Sequence, residues 1–150
     1  MRVVLTTVKE ANVKIEKRIV GEIKRGYLLL VGFTQGDNEE IVDRMVEKII
    51  NLRVFADEHG KTNLSLSDVD GNILSISQFT LYASAKGSRR PSFIDALEPK
   101  EAEKLYLLFN DKILNNFGQI QTGRFGADMD VYSINEGPFT LILDSKELFK

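Results

Sequence analysis

Residues Asn12–Thr34 read NVKIEKRIVGEIKRGYLLLVGFT, and the pattern changes half-way along. From Val13 to Ile23 apolar and polar residues alternate, the period of a strand with one face in a core and one in water. From Tyr27 to Val31 every residue is apolar, the mark of a strand covered on both faces. Gly21 and Gly26 mark bends or turns. The stretch predicts two or three antiparallel strands, the last buried on both sides.

Reading outward, RVVLTTV (Arg2–Val8) is a further strand before this stretch, and QGDN after Thr34 is a loop. DNEEIVDRMVEKIINLRVF has the clearest helical period, with Ile41, Met45, Ile49 and Leu52 on one stripe and Val42, Val46 and Ile50 beside it. Asp37 or Asn38 can cap it, and Glu39 and Glu40 suit its positive end. Asp57–Lys61 is a turn, Asp70-Gly71 another, and ILSISQFTLYA a strand rich in β-formers. Pro91 and Pro99 bracket a less regular segment. EPKEAEKLYLLFNDKILNNFG is a second amphipathic helix, with Leu105, Leu108, Phe109 and Ile113 on one face and Gly118 as its stop. QIQTGRFG, DMDVYSIN and FTLILDS supply closing strands. The predicted fold is α+β: a mainly antiparallel, barrel-like sheet with two amphipathic helices against it, in a single domain over residues 1–150.

Composition narrows the chemistry. A chain of 150 residues can bury a core without disulfides or a metal. The longest apolar run, Tyr27–Phe33, is too short to cross a bilayer, and MRVVLTTVKE has no signal-peptide pattern. Cysteine is absent, which excludes a thiol nucleophile and a Cys-based zinc site and fits a cytoplasmic location. The single histidine, His59, stands in the polar turn FADEHGKTN and reads as an exposed turn residue. A hydrolase built on this chain works without an imidazole base, and no metal or cofactor is expected. The net charge of −2 speaks against holding long DNA, and no membrane partner is indicated. KGSRRP, Lys86–Pro91, is locally basic. Lys86, Arg89 and Arg90 are either phosphate contacts or a solvated loop.

Three stretches are unusual for plain strands. Ser77-Gln78-Phe79-Thr80 sets three hydrogen-bonding side chains in an apolar strand; it is a solvated face or a site. Thr122-Gly123-Arg124-Phe125-Gly126-Ala127 holds an aromatic between glycines, which suits a bulge or a close backbone approach to a ligand. In Ser133–Thr140, SINEGPFT, a Gly-Pro pair falls between two strand-like runs, where proline breaks a ladder. It is a bulge, an edge entry or a cis peptide.

Taken together these stretches resemble one family, the D-aminoacyl-tRNA deacylases, also called D-tyrosyl-tRNA deacylases. The matching segments are VGEIKRGYLLLVG, KIINLRVFADEHGKTNLSL, LSISQFTLYA, RRPSF, LYLLFNDKI, TGRFGADMDV and NEGPFTLILDS, in order along the whole chain. The resemblance implies hydrolysis of the ester between a D-amino acid and the 3′ adenosine of tRNA, with clearance of mischarged glycine. It implies a homodimer whose active sites lie at the subunit interface. Gly137-Pro138 would be a cis main-chain gauge inserted into the partner's site, which rejects an L-side chain by clash. Backbone N–H groups at Phe79 and Thr80 would meet the oxyanion, with Gln78 and Ser77 organising the pocket. The tRNA 2′-hydroxyl would help to activate water, in preference to Thr80 as nucleophile, because no base is in view. Phe125, Gly126 and Ala127 match the adenosine-binding region and Met129 a pocket wall.

The chain departs from the family pattern around the gauge. Thr6-Thr7 replaces Gln-Arg, and that arginine normally helps to lock Gly-Pro; its donor fork is lost. Glu136 and Phe139 stand where aspartate and valine are usual, Gly87 comes one residue early, and Thr62 replaces a frequent methionine. The alternatives are a weakly active paralogue, a non-catalytic module binding the tRNA 3′ end, and a purely structural homodimer.

Overall fold

A computed structural model describes residues 1–150. A long first strand organises it. β1 (Arg2–Ile15) pairs antiparallel with β2 (Arg18–Ile23) through its second half and with β3 (Gly26–Gly32) through its first. Its other edge pairs antiparallel with β8 (Asp130–Asp144) along nearly its whole length. β3 runs parallel to β6 (Asn72–Ser77), which runs parallel to the two-residue β7 (Gln121–Thr122). The six strands curl into a mainly antiparallel, barrel-like sheet with two parallel neighbours. β4 (Arg53–Ala56) and β5 (Thr62–Ser65) form a separate hairpin, which the sequence pattern did not announce.

β3 is buried on both faces, as its unbroken apolar run predicts. Tyr27, Leu29 and Val31 join the main core, where α1 (Glu39–Asn51) and α2 (Pro99–Phe117) cover the sheet. Leu28 packs with Val8, Val13, Leu74 and Ile76 in a smaller core on the opposite face. Asn38 caps α1 through its side chain, which accepts from the Ile41 N–H at 3.0 Å. α2 buries Ala102, Tyr106, Phe109, Asn110 and Ile113 and ends at Gly118, whose φ of 100° is left-handed. Leu105 and Leu108 are only half-buried, so the buried stripe is centred on Tyr106 rather than on the leucines. A short α3 (Ser145–Leu148) closes the chain and was not foreseen.

Three boundaries differ from the sequence reading. The helix expected through Phe55 ends at Asn51, and Arg53–Ala56 pairs as β4. The strand expected across ILSISQFTLYA stops at Ser77, and Phe79–Tyr82 is a 3₁₀ turn. The ladder between β3 and β6 ends at Val31 opposite Ser77, and beyond the Gln78 N–H no tie to β3 holds the chain extended. The turn then folds over Gly32, where an added Cβ would lie 2.8 Å from the Gln78 carbonyl oxygen. The two strands expected around Gly137-Pro138 form one strand with an excursion. Between the pairs Thr6–Thr140 and Val8–Asn135, β1 advances by Thr7 alone while β8 spends Glu136–Phe139.

Candidate active site

The parallel strand β6 delivers Ser77 and Gln78 to one end of the sheet. The Gln78 N–H donates to the Val31 carbonyl at 2.8 Å, the last tie of the strand. The 3₁₀ turn starts there; its first bonds run from Leu81 N–H to the Gln78 carbonyl at 3.2 Å and from Ala83 N–H to Thr80 at 3.0 Å. The amides of Phe79 and Thr80 precede those bonds, as the first donors of any helical turn do. Gln78 Nε2 donates to Thr80 Oγ1 at 2.6 Å, which fixes the hydroxyl.

The turn is anchored from behind by Arg2. Its Nη1 donates to the Leu81 carbonyl at 2.6 Å, and its Nε and Nη2 donate to Asp144 Oδ2 at 3.1 and 2.9 Å. The guanidinium also lies 4.6 Å from the Tyr82 ring centre. Partial burial works to raise the Asp144 pKa, but the Lys146 N–H and Arg2 outweigh it and hold the carboxyl below its ordinary value.

A cavity of about 580 Å³ opens beside the turn. Ser77, Gln78 and Phe79 line one side, and Phe125, Gly126, Ala127 and Met129 the other. Phe93 meets Phe79 edge-on at 5.2 Å and extends the wall. The second wall is built on α2: the Tyr106 ring stands 6.0 Å from Phe125, and its buried hydroxyl donates to the Ser75 carbonyl at 2.8 Å. Burial pushes the Tyr106 phenol up, so it stays a neutral donor. The Gly123 N–H donates to the same carbonyl at 3.1 Å and ties the loop of Phe125 to β6.

The structure brings Ser77, Gln78 and Phe79 together with Phe125, Gly126, Ala127 and Met129, and bonds Thr80 to that group. Gly137 and Pro138 are elsewhere. They sit exposed on the β8 excursion and line no part of this chain's cavity. Their peptide is cis, and Gly137 has a φ of 118°. Lys86, Arg89 and Arg90 lie exposed on a loop closed by reciprocal bonds of 2.8 Å between Ser84 and Ser92. His59 is exposed in the β4–β5 turn. No three His, Cys, Asp or Glu side chains are grouped as metal ligands would be.

The sequence marks Thr7, Glu136 and Phe139 around the excursion, but neither Arg25 nor the bonds that join these residues. Thr7 is 2% exposed, and its Oγ1 donates to the Glu136 carbonyl at 2.8 Å. Arg25 donates from Nε and Nη2 to the two Glu136 carboxylate oxygens at 2.9 and 3.0 Å. Arg25 is 111 residues away in sequence, and no local pattern marks the pair.

A family model described as D-Tyr-tRNA(Tyr) deacylase matches residues 4–144. The chain belongs to the D-aminoacyl-tRNA deacylase family. Its members are hydrolases acting on aminoacyl-tRNA. Among the similar family proteins, a D-aminoacyl-tRNA deacylase of Clostridium novyi is 50% identical over 99% of this chain and 100% of its own length. One of Bacillus cereus is 52% identical over 97% and 100%, and one of Lactobacillus gasseri 51% over 96% and 99%. The solved structure of the c-Myc DNA unwinding element binding protein superposes with a TM-score of 0.89 at 37% identity, covering 96% of this chain and 98% of that one. A probable eukaryotic D-amino acid tRNA deacylase superposes at 0.85 with 17% identity over 95% and 97%, a likeness of fold.

Proposed function

We propose that this deacylase hydrolyses the ester joining a D-amino acid to the 3′-terminal adenosine of tRNA, clears glycyl esters too, and rejects L-aminoacyl esters with Gly137-Pro138. The observation that carries the reading is a divided site. Ser77, Gln78, Phe79 and an aromatic wall line the cavity, while the exposed glycine–proline main chain of the same molecule lines no part of it. A second copy would close the cavity with its own Gly137-Pro138. The exposed apolar side chains of Val131, Tyr132 and Ile134 on β8, near the excursion, suit burial against that copy.

In the reaction, water adds to the ester carbonyl and the C–O bond to the ribose breaks. Free amino acid and a tRNA hydroxyl leave. The Phe79 and Thr80 amides would hold the negative charge that builds on the carbonyl oxygen. Gln78 donates to Thr80 Oγ1, so the threonine faces an amide and not a base. As the family resemblance implies, the tRNA's own 2′-hydroxyl would help to activate water. Phe125 would stack the terminal adenine, with Gly126, Ala127 and Met129 around it. Lys86, Arg89 and Arg90 would meet tRNA phosphates, and the work would be done in the cytoplasm.

Glycine has no side chain for a main-chain gauge to strike, so glycyl and D-esters pass where L-esters fail. Matched D-Tyr-tRNA, L-Tyr-tRNA and Gly-tRNA, incubated with the protein, test this. Loss of the D- and glycyl esters with the L-ester intact is expected. Equal loss of D and L would overturn the gauge. Adenosine binding without any turnover would make the chain a 3′-end binding module.

A further inference from the structure

The β8 excursion is held at one residue by two independent contacts. Thr7 binds the Glu136 main-chain carbonyl from beneath, and Arg25 binds the Glu136 carboxylate with both teeth of its fork. Glu136 immediately precedes Gly137. We propose that Arg25 is a positioning residue for Gly137-Pro138: with Thr7, it fixes where that main chain stands and so sets discrimination between D- and L-esters. This rests on the gauge reading above.

Surface ion pairs often contribute little, because two long side chains must be ordered in water. Here the side chains are 40% and 26% exposed, and Arg25 is not free to wander. Its guanidinium lies 5.1 Å from the ring centre of Phe55, which is 1% exposed and stacks on Tyr27 at 5.4 Å and 7°. Its main-chain carbonyl accepts the Asn72 N–H at 3.0 Å, which ties the β2–β3 turn to the start of β6. Much of the ordering cost is thus met by contacts that exist without Glu136. A bidentate fork also fixes direction, which a point charge does not. Thr7 alone binds Glu136 through one oxygen and approaches the Phe139 carbonyl only at 3.5 Å, so it leaves the segment able to pivot.

The experiment compares wild type with Arg25→Gln, Glu136→Gln, the double variant and Arg25→Lys. It reads kcat/KM for D-Tyr-tRNA and L-Tyr-tRNA, and amide hydrogen exchange at Gly137 and Phe139 in the substrate-free protein. Each single glutamine variant is expected to lower the D-to-L ratio about tenfold and speed exchange at both amides, leaving the β1–β3 ladder unchanged. The double variant should be no worse than either single one, because both remove the same contact. Arg25→Lys should recover part of the ratio, since it keeps the charge and loses the fork. An unchanged ratio in both single variants overturns the proposal, whatever the exchange shows. If wild type hydrolyses no D-ester, the functional reading fails instead, and exchange alone upholds or overturns the clamp.

Discussion

Gly137 is the residue on which the account leans most. Its φ of 118° is one that side chains rarely adopt, and an added Cβ would stand 3.1 Å from the Phe139 nitrogen. Gly137→Ala is therefore expected to displace the excursion and lower D-ester turnover by at least about tenfold, from the general cost of a misplaced site group. Its thermal midpoint should stay close to wild type, because the segment is exposed. Steady-state kinetics and a melting curve check both parts. At this scale the sequence was legible wherever a residue breaks a local rule. Gly-Pro in a strand announces itself, and so does a phenylalanine between glycines. Arg25 and Glu136 break none, since arginine in a turn and glutamate near a strand are ordinary. Their meaning arises only when β1, β2 and β8 meet.

The turn at Phe79–Tyr82 shows how elements can be misread. ILSISQFTLYA is rich in strand formers, yet its second half holds a 3₁₀ turn. The end of the β3 ladder and the bare α-carbon of Gly32 decide the matter, and both are tertiary facts. The two long helices were readable because their caps and stripes are local. The β4–β5 hairpin was not, being two strands of four residues each, and of the strand expected across QIQTGRFG only Gln121–Thr122 pairs. Tyr106 on α2 supports both β6 and Phe125. Tyr106→Phe removes its buried bond to the Ser75 carbonyl and should cost about 1 kcal/mol in urea unfolding. The same variant should raise KM for charged tRNA more than it lowers kcat, because the wall carrying Phe125 loses its brace.

At the scale of the whole molecule, the two chain ends meet at the site. Arg2 and Asp144 join β1 and β8 and hold the Leu81 carbonyl of the turn. The Asp144 carboxyl titrates below its ordinary value in the folded state. Its contribution is therefore complete above the unfolded carboxylate pKa, about 3.9, and is lost as pH falls through the lower folded value. Unfolding measured from pH 6 downward should show stability declining below about pH 4, and Asp144→Asn should flatten part of that slope. Alternation and apolar runs revealed a largely antiparallel α+β molecule. They did not reveal that β1 has three partners or that β3 and β6 are parallel, because register depends on long-range closure.

The central claim is that one copy's Gly137-Pro138 completes the cavity of another, and subunit complementation tests it most directly. Gly137→Ala impairs the gauge, and Ala127→Trp fills the cavity. Each homodimer should be nearly inactive on D-Tyr-tRNA. Co-expression as mixed dimers should restore about a quarter of wild-type activity, since half of a random mixture is hybrid and each hybrid holds one intact site. No recovery, with hybrids present by mass, would contradict a site shared between two copies.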